Sequence, residues 1–189
     1  MNFLETLNKR RSIYSLNKTL PISKEELKEL IEEVALLSPD AFNAQSSRIV
    51  VVQGEKQDEL WDLIYDSFEG QVPRQKIDGF KAAAGTILFY LHRPTITNLE
   101  ENFPLYAHNF YYWGHQASGI LQINLWNALR TKGIGANIQH YNPIIDENIR
   151  NKWNIPEDWE LIAQMPFGGI VEEPGELEKM PIEERVRFL

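Results

Sequence analysis

Residues 104–133 read PLYAHNFYYWGHQASGILQINLWNALRTKG. Pro104 suits the first turn of a helix and Gly133 suits its stop. Between them Leu105, Tyr106, Phe110, Tyr111, Trp113, Ile120, Leu121, Ile123, Leu125, Trp126 and Leu129 fall on almost every side of a 3.6-residue spiral. A helix that is apolar all round is either the centre of a fold or shared with a partner subunit. Gly114, Ala117, Ser118 and Gly119 are small enough to let another backbone approach, and they serve equally well as plain core.

The segments on either side supply a sheet. Residues 49–52 (IVVV) and 86–91 (TILFYL) are apolar throughout, the pattern of strands buried on both faces. Residues 159–165 read as a third strand, followed by a turn at Pro166-Phe-Gly-Gly169. Helices fill the gaps. Residues 2–10 form a short one. Ser23 with Glu26 makes a capping box for a helix carrying Leu27, Leu30, Ile31, Val34 and Leu37. Residues 55–69 present Leu60, Trp61, Ile64 and Phe68 on one side, with Gly70 as the stop. Asp146 opens a short helix to Trp153. The basic stretch 71–79 and residues 92–101 read as loops. Residues 172–184 hold six acids against one Lys, a solvated excursion, and Arg185-Val-Arg-Phe-Leu189 alternates like an edge strand. Strands separated by helices point to an α/β or α+β sheet covered by helices, in one domain spanning 1–189.

Composition narrows the function. The chain has 189 residues, ample for a core without staples, and its five Trp, seven Tyr and nine Phe argue against disorder. With no cysteine it has no disulfide, thiol nucleophile or thiolate metal site. The net charge of −8 disfavours binding to a polymer of phosphates. Residues 1–11 are polar and helical in pattern, and no apolar run approaches the roughly 20 residues of a membrane span, so a soluble cytoplasmic protein is expected.

Several chemistries lack their residues. There is no phosphate-binding Gly-Lys-Ser/Thr loop, and Gly133-x-Gly135 leads to Ile138 where a dinucleotide fingerprint wants Gly. No serine-hydrolase elbow occurs. His92, His108, His115 and His140 make no zinc-binding helical pair. Redox chemistry, if present, has to come from an organic cofactor.

What stands out is a basic knot, Lys9-Arg10-Arg11-Ser12, in an otherwise acidic chain, and a second pair, Arg185 and Arg187. Guanidinium forks and a hydroxyl suit a phosphate monoester. Each cluster also has a plain reading: the first as a basic pair that complements a helix C-terminus, the second as a solvated terminal pair. Asn43, Gln45, Ser46, Ser47 and Arg48 precede a buried strand and could offer amides to a polyol chain or a heterocycle edge. Gln139-His140-Tyr141 could do the same from the loop after the long helix.

These motifs carry a resemblance. Arg10-Arg11-Ser12-Ile13-Tyr14 resembles the opening Arg-Arg-Ser motif of the FMN-dependent nitroreductase family. Residues 38–45 (SPDAFNAQ) resemble its Pro-Ser-x-x-Asn-x-Gln segment. Residues 133–140 (GIGANIQH) stand where that family has its loop after the central helix, and Arg185-x-Arg187 resembles its C-terminal basic pair. The order agrees over nearly the whole chain. With Ala163-Gln164-Met165-Pro166-Phe167-Gly168, the motifs look like those of a compact branch with bacterial copper-induced and fungal fatty-acid-repression members.

The resemblance implies an α+β sandwich with a mostly antiparallel central sheet, the long helix at the interface of a homodimer, and two FMN sites there. It implies that Arg10, Arg11 and Ser12 bind the FMN phosphate and nearby groups, with Arg185 and Arg187 closing over the phosphate. Asn43 and Gln45 would face the ribityl chain or ring edge. The backbone of Gln139, His140 and Tyr141 would lie against the flavin, with a main-chain N–H near N5. Arg10 is also the candidate cation near N1 and O2. One further basic contact is expected from Arg74, Lys76 or Lys81.

The implied activity is NADH- or NADPH-dependent reduction of nitroaromatics, quinones or related small electrophiles, by ping-pong hydride transfer through flavin N5. No side chain need be catalytic and no metal is expected. The rivals are a flavin- or lipid-binding regulatory or stress-response protein with little turnover, and a helical dimerisation module. Ser46-Ser47 replaces the family's usual Pro-Trp, and the chain is short. Both departures bear on acceptor range and nucleotide preference rather than on the flavin.

Overall fold

The computed structural model describes residues 2–189, and Met1 lies outside it. The elements are α1 (Phe3–Lys9), β1 (Leu16–Asn17), α2 (Lys24–Leu37), β2 (Ser47–Gln53), α3 (Glu55–Ser67), α4 (Arg74–Lys81), β3 (Gly85–His92), α5 (Arg93–Asn102), α6 (Ala107–Thr131), β4 (Ile134–Ala136), α7 (Asp146–Trp153) and β5 (Trp159–Ile170). Single 3₁₀ turns lie at Ala41–Asn43, Pro104–Tyr106 and Ile182–Glu184.

All four strand ladders are antiparallel, in the order β1-β5-β3-β2, with β4 also on β5. Both β3 and β4 pair with Phe167, and both β1 and β4 pair with Gly169. Hence β1 and β3 share one edge of β5 end to end, and β4 takes the other. This is an α+β sandwich. Side chains alternate across β3: Ile87 and Phe89 meet α2 and α6, whereas Leu88 and Tyr90 meet α3, α4 and α7. Leu60, Trp61 and Ile64 of α3 are fully buried, each stabilising the second layer by about 1.5–3 kcal/mol.

The capping box at Ser23 and Glu26 forms, with each side chain bonded to the other's backbone N–H. A second one, Asn2 with Glu5, caps α1. Gly133 has φ +76 and stops α6. The buried face of α6 is Phe110, Gly114, Ala117, Ser118, Leu121, Gln122, Leu125 and Leu129. On the other side Tyr112 and Ile120 remain exposed, so this chain alone covers only part of the apolar surface of α6.

Several expectations are corrected. Residues 71–79 are not a loop: α4 forms because Ile77 and Phe80 enter the core while Arg74 and Lys81 pair with Asp62 of α3. Residues 92–101 are mostly α5, which starts with Pro94 in its first turn and buries Ile96. The long helix begins at Ala107, after the 3₁₀ turn. β2 is the outer strand, with Val51 exposed, rather than a strand buried on both faces. No turn forms at 166–169. Here β5 runs on to Ile170, and Pro166, which has no N–H, still accepts from Asn137 at 3.2 Å. A Cβ on Gly168 or Gly169 would strike the carbonyl oxygen of Asn17 or Thr19, so the crossing of β1 requires these glycines. Residues 185–189 form no strand, and Val186 and Phe188 are exposed.

Candidate functional site

β4 brings the Arg-Arg-Ser motif and the motif after the long helix together. Ser12 bridges Ala136 in parallel, the Ile13 N–H donates to the Ala136 oxygen at 3.0 Å, and the buried Asn137 side chain donates to the Ile13 oxygen at 2.8 Å. The Arg-Arg-Ser segment thus runs beside the start of the loop that holds Gln139, His140 and Tyr141.

Arg10 is half-buried. Its guanidinium lies 4.3 Å over the ring of Trp126, on α6. Its Nε is buried without a hydrogen-bond partner, and neither Arg10 nor Arg11 has an ion-pair partner among the described residues. Burial, and then the adjacent Arg11 charge, push the Arg10 guanidinium below its ordinary value. The cation is therefore held at a cost that an incoming anion would relieve. Arg11 donates to the Gly175 oxygen at 2.9 Å. The cleft beside both arginines has a volume of about 310 Å³ and includes Asn8, Glu176 and Lys179 in its wall. A guanidinium pair with no ion-pair partner among the described residues suits a phosphate, although Ser12 is not in the wall of this cleft and Glu176 is.

The loop 137–142 hangs on β5. Gln139 and Gln164 exchange both backbone hydrogen bonds, at 2.7 and 2.9 Å. The Tyr141 N–H donates to Gln164 Oε1 at 2.8 Å. Between them, the N–H of His140 takes no partner among the described residues, and His140 is exposed. Among Gln139, His140 and Tyr141, the free main-chain donor is thus His140. The Tyr141 side chain is a core group, ringed by Trp61, Phe68 and Phe80, and burial followed by the nearby Tyr14 raises its phenol. The Tyr141 N–H is already engaged by Gln164.

Among the three basic candidates, Arg74 binds Asp62 and Asp78, and Lys81 binds Asp62. Lys76 is exposed, forms no ion pair among the described residues, and has its Nζ 5.8 Å from the centre of the Tyr141 ring. Lys76 is the cation of that segment nearest the loop that is free to meet a ligand.

Asn43 and Gln45 stand elsewhere. Both are exposed, with φ of 50° and 51°, and Phe42 before them has φ 58°. Three side-chain-bearing residues in left-handed backbone within four positions mark a strained turn. Two features hold it. Asp40 Oδ2 accepts from the Ser46 N–H and hydroxyl at 2.8 and 2.6 Å, and Phe42 packs on Phe103, Phe110 and Trp113. The groove beside Asn43 and Gln45, about 470 Å³, is walled by α2 and by Ala117 and Leu121 of α6, and its lining does not include Arg10 or Arg11. Trp126, under Arg10, lies nine residues beyond Ala117, about 14 Å along the helix. Arg185 and Arg187 are exposed beyond the last 3₁₀ turn, and among the described residues their side chains have no hydrogen-bond or ion-pair partner.

Asp40, Trp126 and Gln164 are the residues to which motif reading gave no role in the site. Gln164 had a signal, since it is the lone amide in an apolar strand. Trp126 had none, because its place under Arg10 depends on the packing of α1 against α6.

An antiparallel sheet covered by helices, with a cationic pair and an open loop amide at one edge, defines an α+β sandwich with a candidate anion site. The chain belongs to the Nitroreductase family, whose sequence profile matches residues 7–169. It is 33% identical over 177 residues to HBN1 of Saccharomyces cerevisiae, covering 92% of this chain and 91% of that one. The nitroreductase CinD from Lactococcus lactis, solved in complex with chloramphenicol, superposes with a TM-score of 0.95 and 42% identity, covering 100% of both chains. A protein from Exiguobacterium sibiricum solved with FMN shares the fold, with a TM-score of 0.78 and 18% identity over 100% of this chain and 98% of that one. Among the described residues no helix is long and apolar enough to cross a membrane, and no cluster of His, Asp or Glu could hold a metal.

Proposed function

We propose that this oxidoreductase binds FMN and uses NADH or NADPH to reduce nitroaromatics, quinones or related small electrophiles. The observation that carries the reading is Arg10: a half-buried guanidinium with an orphaned Nε, no counter-anion among the described residues and Arg11 beside it. Arg10, Arg11 and Ser12 hold the phosphate and nearby groups, Lys76 adds a cation beside the loop, and the His140 N–H faces the ring. FMN, when bound, supplies the redox chemistry by accepting a hydride at N5 and passing electrons to the acceptor. The chain's own part is to fix the cofactor, keep positive charge where negative charge develops, and exclude water. The CinD complexes with chloramphenicol and 4-nitrophenol support an aromatic acceptor here.

The site is completed in a homodimer. Two things support this: Asn43 and Gln45 lie apart from Arg10 along α6, and α6 leaves Tyr112 and Ile120 uncovered. Asn43 and Gln45 then face the cofactor from across the subunit interface, and Arg185 and Arg187 reach the phosphate from the exposed tail. Residues 1–189 serve as one FMN-binding domain of a cytoplasmic enzyme.

The test is a purified preparation. It should be yellow, release FMN on denaturation, bleach under anaerobic NADH or NADPH, and recover colour with 4-nitrophenol or a quinone. A colourless protein that takes up no added FMN would remove the reading. Bound flavin that neither nucleotide bleaches would replace it by a regulatory flavoprotein.

A further inference from the structure

Gln164 is the one member of the Ala-Gln-Met-Pro-Phe-Gly motif whose side chain is polar, and it is 0% exposed on the central strand. A buried amide has to satisfy both ends of its side chain. Here both ends go to the same loop. Oε1 accepts the Tyr141 N–H at 2.8 Å, and Nε2 donates to Asn142 Oδ1 at 3.3 Å. The Gln164 backbone meanwhile exchanges two hydrogen bonds with Gln139. A single residue therefore grips the chain immediately before and immediately after His140, and the one N–H between those grips is left unpaired.

We infer that Gln164 is a positioning residue: it holds the His140 N–H fixed and open for the flavin ring. This rests on the FMN reading above. The physical reason is preorganisation. A main-chain donor whose two neighbours are already bonded to a buried strand loses little further freedom when a ligand arrives, and it cannot swing away to find another acceptor. Leucine or methionine would fill the same volume and keep the strand, but would release Tyr141 and Asn142. Glutamate would keep the acceptor for Tyr141 and lose the donor to Asn142. The order expected is therefore Gln164 above Gln164→Glu above Gln164→Met.

The experiment uses the full chain and FMN itself. Amide hydrogen exchange of the peptide covering 137–142 is measured without FMN. FMN affinity is then measured by fluorescence quenching, and kcat and KM for the nucleotide follow. In Gln164→Met, exchange should quicken in 137–142 while α2 and α3 stay protected. FMN should bind about tenfold more weakly. At saturating FMN, kcat should fall about tenfold with KM for the nucleotide little changed, and Gln164→Glu should recover part of each loss. If Gln164→Met does not fold, Asn142→Ala removes one grip from the outside and should give the same localised exchange with a smaller loss of affinity.

Unchanged exchange in 137–142 would overturn the inference. So would faster exchange with FMN affinity and kcat intact, or a loss of protection spread evenly over the chain with no change in the kcat-to-KM balance. A wild-type protein that binds no FMN sinks the earlier reading, and that outcome needs no variant to see.

Discussion

The guanidinium carbon of Arg10 stands 4.3 Å over the ring of Trp126, so the first basic motif of the chain is propped by the last turns of its longest helix. The stacking supports the cation without neutralising it, and every donor of the fork remains free of a carboxylate. Arg10→Ala should weaken FMN binding by about ten- to a hundredfold, the loss of charge-assisted hydrogen bonds. Trp126→Leu keeps the charge and should cost only a few-fold, in line with about 1 kcal/mol for a half-buried cation–π pair. Titration of the flavin's fluorescence separates the two. Equal losses would mean that Arg10 acts by packing alone.

Lys76 and Lys81 sit five residues apart and should behave oppositely. Lys81 ties α4 to α3 through Asp62 at 2.7 Å, so Lys81→Met should lower the melting temperature and leave FMN affinity unchanged. Lys76 has no carboxylate partner, so Lys76→Met should leave the melting temperature alone and weaken FMN several-fold. Thermal melts with and without FMN read both effects.

Asp40 holds the strained turn that presents Asn43 and Gln45. Asp40→Ala strands the N–H and hydroxyl of the fully buried Ser46. A loss of about 3 kcal/mol is expected from two hydrogen bonds to a charged acceptor, a fall of about 6–12 °C in melting temperature for a chain of this size. Crystallography of the variant should show Phe42 leaving its left-handed backbone. A full-strength melt would show that the aromatic contacts of Phe42 suffice to hold the turn.

Asp146 gives stability a pH dependence. Its carboxyl is pushed up to about 6, first by burial, with Arg150 pulling it down and Glu160 pushing it up. The folded state thus holds this proton more tightly than the unfolded state does. Between the ordinary value of 3.8 and about 6, stability falls as pH rises. Asp146→Asn should flatten that part of the curve and make the protein relatively more stable at pH 7. Denaturant midpoints at pH 5 and pH 7 decide it, and an identical slope in both proteins would exclude Asp146 as the source.

The parts of the fold readable from the residues were those where a local rule and the tertiary structure agree. Ser23 with Glu26, Gly133 after α6, and the apolar run of β3 each needed no partner to interpret. The misreadings came from long-range compensation. The basic stretch of α4 looks like a loop until Asp62 of α3 neutralises Arg74 and Lys81. Pro166 looks like a turn until the gap between β3 and β4 draws it into a strand. The site divides in the same way. Of the candidate site, Arg10, Arg11, Ser12 and the 139–141 loop were readable as motifs, because guanidinium forks, a hydroxyl and a polar loop stand out in an acidic chain. Their supports were not. Trp126 is 116 residues from Arg10 and Gln164 is 24 from His140, and nothing local couples those pairs.

β5 is flanked on both edges and buried through most of its length, and the loop at 139–142 is bonded directly to it. With that attachment the loop is expected to soften together with the sheet rather than before it. Segments that open independently lose function at temperatures where the rest of a protein is still intact. Here the heat-inactivation curve and the unfolding curve should lie on top of one another, so that a gain in sheet stability is carried directly into working lifetime.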